Sequence, residues 1–145
     1  GMFFSCSGLT SLDLSNFDTS KVTKLGSMFS GCSGLTSLDL SDFDTSNVTD
    51  MDGMFFSCSG LTSLDLSNFD TSKVTKLGSM FFGCSALNTI YVSNQWSNES
   101  VTSSSNMFYK CTNLRGAISY NSSKIDATYA NYSTGYFTYK EAPTL

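Results

Sequence analysis

The 145-residue sequence contains no histidine. Because histidine is the commonest general base and metal ligand, its absence removes most acid–base and metal-assisted mechanisms. Serine and threonine are plentiful, yet no segment resembles a Gly-x-Ser-x-Gly turn or another activated nucleophile. The sequence therefore predicts a protein that is not an enzyme, with no catalytic residues, no cofactor and no metal site.

Charged residues are also scarce, at 14% of the chain, and the net charge is −4. Nucleic-acid binding needs clustered lysine and arginine, so this balance argues against it and against attachment to a membrane surface. No apolar run approaches the roughly 20 residues of a membrane helix. Serine, threonine and asparagine must cover much of the surface, which favours an extracellular protein.

What the sequence does contain is a repeat. The Met-Phe pair recurs with a period of 26 residues, and once of 27, starting at Met2, Met28, Met54, Met80 and Met107. A period of 20–29 residues that includes Leu-x-x-Leu-x-Leu is typical of leucine-rich repeats, in which stacked units share one core. The array contains about 4.5 such units, because the first one is truncated.

Each unit divides into two halves. In the first half, Leu64 and Leu66 alternate with Asp65, which predicts a strand with the leucines inward. In the second half, apolar residues recur at spacings of three, three and four, which predicts a short helix. Gly34 and Gly60 follow it, where a helix exit with positive φ is expected. The expected fold is an α/β repeat: a right-handed leucine-rich-repeat solenoid with a parallel sheet on one face and short helices on the other.

The array is expected to span residues 1–118, and an aromatic-rich C-terminal cap residues 119–145. Leu114–Tyr120 reads as a last strand before that cap. The chain opens inside a repeat, which suggests a fragment of a longer protein. Its uncapped first unit would expose Phe3, Phe4 and Leu9, so we expect self-association through this N-terminal end.

The candidate ligand-binding residues form one column on the exposed sheet face. They are Asp13, Asp39, Asp65 and Tyr91, and Ser119 would continue the column. Three stacked carboxylates repel one another, so a basic partner or a cation would stabilise them. A solvated acidic strip without a ligand is the alternative, and calcium dependence is a third, weaker hypothesis.

One cysteine occupies the same place in every unit, at Cys6, Cys32, Cys58, Cys84 and Cys111. They lack the local pairing of Cys-x-x-Cys zinc sites. Stacked side chains point in parallel, and five is an odd number, so we expect buried free thiols that pack like small apolar residues. Disulfides between neighbouring units are the alternative.

The repeat resembles the BspA-like leucine-rich-repeat surface proteins, a family also catalogued as a domain of unknown function in bacterial lipoproteins. The clearest match runs from Leu38 to Met51, as Leu-Asp-Leu-Ser-Asp-Phe-Asp-Thr-Ser-Asn-Val-Thr-Asp-Met. The resemblance implies a bacterial cell-surface or secreted protein used for adhesion. It also implies host matrix or plasma proteins, such as fibronectin and fibrinogen, as partners.

The leading hypothesis is therefore a non-enzymatic bacterial cell-surface protein that mediates adhesion or protein–protein interaction through the sheet face. Its partner would be a protein or glycan of a host or neighbouring cell. The alternative is a structural spacer that displays another domain and has no ligand of its own.

Overall fold

The computed structural model describes residues 2–144, in which the regular elements are short. There are three strands, β1 (Ser63–Asp65), β2 (Thr89–Val92) and β3 (Phe137–Tyr139), and one 3-10 helix (Ala127–Tyr129). The strands form one parallel sheet in the order β1-β2-β3. Turns and extended segments make up the rest of the described chain.

Successive repeats are joined by backbone hydrogen bonds between equivalent positions. In each of the first four units, the N–H of the Phe in the Met-Phe pair donates to the Met carbonyl of the next unit. These bonds are Phe3 to Met28 at 2.9 Å, Phe29 to Met54 at 2.9 Å, Phe55 to Met80 at 2.9 Å and Phe81 to Met107 at 3.0 Å. The 26-residue period of the sequence is thus the stacking period of the fold.

The prediction of an α/β solenoid with short helices on one face is wrong. Where a helix was expected, alternate N–H groups close four-residue turns, such as Met54 to the Met51 carbonyl at 3.2 Å. The N–H groups between them, including that of Phe55, donate to the following repeat instead. Gly53 and Ser57 have φ of 64° and 58°, and such left-handed residues interrupt a right-handed helix. This half of the unit is a series of turns that are hydrogen-bonded to the following repeat.

Apolar spacing misled the sequence interpretation for a geometric reason. Consecutive four-residue turns also bring residues three and four positions apart to one side, as a helix does. Val48, Met51, Phe55 and Cys58 are accordingly all buried in the core. Periodicity identified the buried face correctly but could not distinguish hydrogen bonds within a unit from those between units.

Gly34 and Gly60 have a different role from the predicted positive-φ exit. The left-handed residues lie three positions earlier, at Gly31 and Ser57, with φ of 77° and 58°. A Cβ at Gly34 would lie 2.5 Å from the carbonyl oxygen of Ser7, and one at Gly60 would lie 2.7 Å from that of Ser33. Glycine is needed there because the backbone of the preceding repeat passes so close.

Buried threonines form a second connection between repeats. The Thr45 hydroxyl donates to the Asp70 carbonyl at 3.0 Å and accepts from the Asp70 N–H at 2.9 Å. Thr19 makes the same pair of bonds with Asp44, at 3.2 and 2.8 Å. Each hydroxyl thus takes the place of a backbone group between repeats and satisfies both the N–H and the carbonyl of one aspartate.

The centre of the core is a column of phenylalanine rings. Neighbouring rings lie almost parallel with centroids 5.6–5.8 Å apart, in the order Phe3, Phe29, Phe55, Phe81 and Phe108. At the C-terminal end, Tyr136 meets Phe108 edge-on at 5.1 Å, and Phe137 meets it at 5.8 Å. Both are fully buried, and their rings close this end of the column.

The segment Leu114–Tyr120 is not the next strand of the sheet. Its first residues keep the hydrogen bonding to the preceding repeat, since the Arg115 N–H donates to the Asn88 carbonyl at 3.1 Å. The chain then folds back on itself, with Arg115 opposite Ser119 in an antiparallel bridge. β3 takes the vacant place beside β2 and pairs Phe137 with Ile90. The boundary between an array at 1–118 and a cap at 119–145 stays a prediction.

Candidate functional site

The three aspartates of the predicted surface column share one local conformation. Each carboxylate accepts from the N–H and the hydroxyl of the serine two residues later. The hydroxyl distance is 2.6 Å at Asp13, Asp39 and Asp65, and the N–H distances are 3.0, 2.9 and 3.0 Å. Such turns hold a carboxylate in a fixed direction. Three successive units therefore present the same oriented anion.

These hydrogen bonds also keep the carboxylates ionised. At Asp13 and Asp39, the serine hydroxyl and then the serine N–H hold the pKa below its ordinary value. The charge of Asp65 acts on the pKa of Asp39 in the opposite direction, as expected for repulsion between these two carboxylates. A cationic group placed against it would relieve that repulsion.

Tyr91 lies beside Asp65, because the two residues are partners in the β1–β2 register. The next place in the column belongs to Thr138 of β3, which pairs with Tyr91. Ser119, which was expected there, is displaced with the Arg115–Ser119 bridge. The structure thus brings Asp65 and Tyr91 together as predicted, and it corrects the residue that follows them.

Lys140 is the residue that sequence reasoning missed. Its Nζ forms an ion pair with the Asp65 carboxylate and lies 5.6 Å from the centre of the Tyr91 ring. Its backbone N–H donates to the Val92 carbonyl at 2.9 Å, so β3 positions it. Only the fold could reveal this contact, since 75 residues separate Lys140 from Asp65.

The ion pair changes the charge of the column at one end. Burial raises the pKa of Asp65, but hydrogen bonds from Lys140 and Ser67 outweigh it and leave the pKa lowered. The same contact raises the pKa of Lys140. Among residues 2–144, Asp65 is the one member of the column with an ion pair. Asp13 and Asp39 remain exposed and uncompensated.

A second column of aspartates also closes turns of the chain. Asp18 and Asp44 accept from the N–H groups of Ser20 and Ser46, both at 3.0 Å, and from their hydroxyls. These bonds close turns around the buried threonines Thr19 and Thr45. The two columns thus share one local conformation, and the first is the candidate for binding because it lies on the sheet, where Asp65 pairs with Tyr91.

The cysteines are free thiols, four of them buried and Cys6 half-buried. Each buried Sγ donates to the backbone carbonyl of a phenylalanine in the preceding repeat. The distances are 3.0 Å from Cys32 to Phe3, 3.1 Å from Cys58 to Phe29, 3.0 Å from Cys84 to Phe55 and 2.9 Å from Cys111 to Phe81. Burial raises the pKa of Cys58 and of Cys111 to about 12. These thiols connect repeats and are unsuited to act as nucleophiles.

No cluster of three or more His, Cys, Asp or Glu side chains within residues 2–144 is arranged to hold a metal ion. The same part of the chain has no helix with the length and apolar character to cross a bilayer. The described surface carries columns of equivalent side chains, and each unit contributes one position to each column.

Stacked units, turn-based connections and surface columns together define a repeat protein. The chain belongs to the family described as Mycoplasma protein of unknown function, DUF285, whose model matches residues 1–132. Neither the curated proteins nor the solved structures include a match to the chain.

Proposed function

We propose that the protein is a non-enzymatic adhesion or protein-interaction module on the bacterial cell surface, related to the BspA-like surface proteins. The column Asp13, Asp39, Asp65 and Tyr91 is the contact surface of this proposal. Its partner is a protein or glycan of a host or neighbouring cell, and a protein with exposed lysine or arginine suits the column best.

The observation that carries the proposal is the contact of Lys140 with Asp65 and Tyr91. Within the molecule, a lysine already docks on one member of the column, through an ion pair and the face of an aromatic ring. Asp39 has the same serine-held carboxylate and no such lysine. A basic side chain of a partner would find the same anion there, at a site held rigid before binding.

The alternative is a spacer that displays another domain and binds nothing itself. The near-identical units and their continuous hydrogen bonding favour it, since a spacer needs only regular stacking. The two functions differ in what the carboxylates do. A binding module depends on their charge, whereas a spacer is indifferent to it.

Surface plasmon resonance against immobilised fibronectin, fibrinogen and a glycan panel would separate the two functions. Asp13→Asn with Asp39→Asn should weaken binding roughly 2- to 5-fold per carboxylate, as expected for partly exposed ion pairs. Lys140→Ala should strengthen binding, because it frees the third carboxylate. Glu99→Gln is the control, since it removes one exposed charge outside the column.

Each result has a distinct consequence. Saturable binding that weakens in the double variant, strengthens in Lys140→Ala and is unchanged in Glu99→Gln supports the sheet face. Equal binding by all variants would move the site away from this face. Absence of binding to every surface would favour the spacer.

A further inference from the structure

A second aromatic column runs along the outside of the stack, one residue after the buried phenylalanines. Its positions are Phe4, Ser30, Phe56, Phe82 and Tyr109. Phe56 and Phe82 stack with centroids 4.7 Å apart, and Phe82 contacts Tyr109 at 5.0 Å. Four of the five positions therefore carry a benzene-type ring, and the second repeat has serine instead.

The serine leaves a gap the thickness of one ring. In the adjacent buried column, the steps Phe3–Phe29 and Phe29–Phe55 measure 5.7 and 5.8 Å. Residues two repeats apart are thus separated by roughly twice the spacing at which aromatic rings stack. Phe4, Ser30 and Phe56 line the same groove, whose volume is about 520 Å³. Ser30 is 7% exposed and Phe4 60% exposed.

The ring contacts at this gap are one-sided. Within residues 2–144, Phe56 has one ring contact, with Phe82, and no second ring stacks on its other face. Phe4 makes no ring contact with any residue in the described range 2–144. Hydroxyls of Ser27 and Ser79 lie along the rest of the groove, which keeps the surroundings polar.

We infer that this gap, defined by Phe4, Ser30 and Phe56, is a binding slot for one aromatic side chain of a partner polypeptide. The structure itself shows what fits, because a phenylalanine or tyrosine ring fills the equivalent place in the third, fourth and fifth repeats. A partner's phenylalanine or tyrosine would complete the column by stacking on Phe56 and covering Phe4. The slot is separate from the aspartate column and does not depend on the function proposed above.

An NMR titration with N-acetyl-phenylalaninamide tests the slot. The probe's ring protons should shift upfield on binding to the wild-type protein, because they enter the ring currents of Phe4 and Phe56. N-acetyl-cyclohexylalaninamide, which is apolar but not planar, should bind roughly 2- to 12-fold more weakly, the range expected for loss of an aromatic pair.

Ser30→Phe is the decisive variant, since it fills the slot from within. It turns Met28–Cys32 into Met-Phe-Phe-Gly-Cys, the sequence that Met80–Cys84 already has, so the fold accommodates it. The variant should melt a few degrees higher and lose the probe shifts. Phe4→Leu keeps an apolar side chain at an exposed position but removes one ring, and it should weaken probe binding.

Probe shifts that disappear in Ser30→Phe and exceed those of the cyclohexyl analogue support the slot. Equal binding of the two probes would overturn the stacking argument. Binding that persists in folded Ser30→Phe would place the ring elsewhere, and no shift at tens of millimolar probe would overturn the inference.

Discussion

Hydroxyl and thiol side chains contribute hydrogen bonds between repeats, in addition to those of the backbone. In a helical repeat, units would satisfy their own backbone groups and meet through apolar contacts alone. Here Thr45 bonds both backbone groups of Asp70, and Cys58 donates to Phe29. The abundance of Ser and Thr in the sequence therefore reflects internal structure as well as a polar surface.

Thr45→Val should destabilise the protein by about 1–2 kcal/mol, because the N–H and carbonyl of half-buried Asp70 lose the hydroxyl that bonds both of them, at nearly unchanged volume. Urea unfolding followed by circular dichroism measures the change. Thr49→Val is the matched control, since that hydroxyl is exposed and its acceptor, the Thr23 carbonyl, also accepts the Thr49 N–H. Equal losses in the two variants would contradict the role given to buried threonines.

The buried thiols should make stability fall at high pH. The pKa of Cys58 is raised from 9.0 to about 12 in the folded protein, so between those values the unfolded chain loses a proton that the folded chain keeps. This difference favours unfolding as pH rises, by up to about 2 kcal/mol per thiol at pH 10.5. Urea midpoints at pH 8 and pH 10.5 measure the effect.

Raised pKa values of Tyr120 and Tyr136 act in the same direction, so Cys58→Ala is needed to isolate the thiol. This variant should be less stable at pH 8 but show a smaller fall towards pH 10.5. An unchanged fall would contradict the thiol contribution.

At the scale of elements, strand β3 closes the stack although it lies far beyond the last repeat. Phe137 is fully buried and meets Phe81, Phe108 and Trp96 edge-on, at 6.3, 5.8 and 4.9 Å. It therefore joins the sheet to the aromatic column. The segment that continues the repeat in sequence, Leu114–Tyr120, leaves this place empty.

Phe137→Ala should cost about 3–5 kcal/mol, the range for removing a buried aromatic ring. Thermal unfolding measures it, and Tyr139→Ala in the same strand is the control, because Tyr139 is 50% exposed. Similar melting temperatures for the two variants would show that β3 does not close the core.

The sequence predicts which residues stack in columns, but it does not predict the secondary structure that connects them. Repetition places Asp65 beside Tyr91 and aligns Phe29 with Phe55, whatever the local backbone does. It could not predict turns in place of helices, since both give the same apolar spacing. It could not predict Lys140 either, because that contact arises where the repeat has ended.

At the scale of the whole molecule, the two ends of the stack differ. The C-terminal end is closed by Tyr136 and Phe137, whereas the N-terminal end exposes Met2, 69% accessible, beside a groove of about 410 Å³. Phe17, Val22 and Met28 also line this groove. Apolar surface of this kind favours association with a second copy.

Self-association through this end stays a prediction, and light scattering tests it. The apparent mass should rise with concentration towards the millimolar range, and Val22→Lys should suppress the rise. Asn94→Lys adds the same charge at an exposed position outside the groove and should leave it unchanged. A monomer at every concentration would contradict the prediction.

Both proposed binding surfaces require that each repeat bonds to the next at equivalent positions. Through-hydrogen-bond NMR couplings test this register most directly. We expect couplings from the Phe29 nitrogen to the Met54 carbonyl carbon, and from the Phe55 nitrogen to that of Met80. Couplings from these nitrogens to carbonyls four residues earlier would reveal helices instead and would contradict this register.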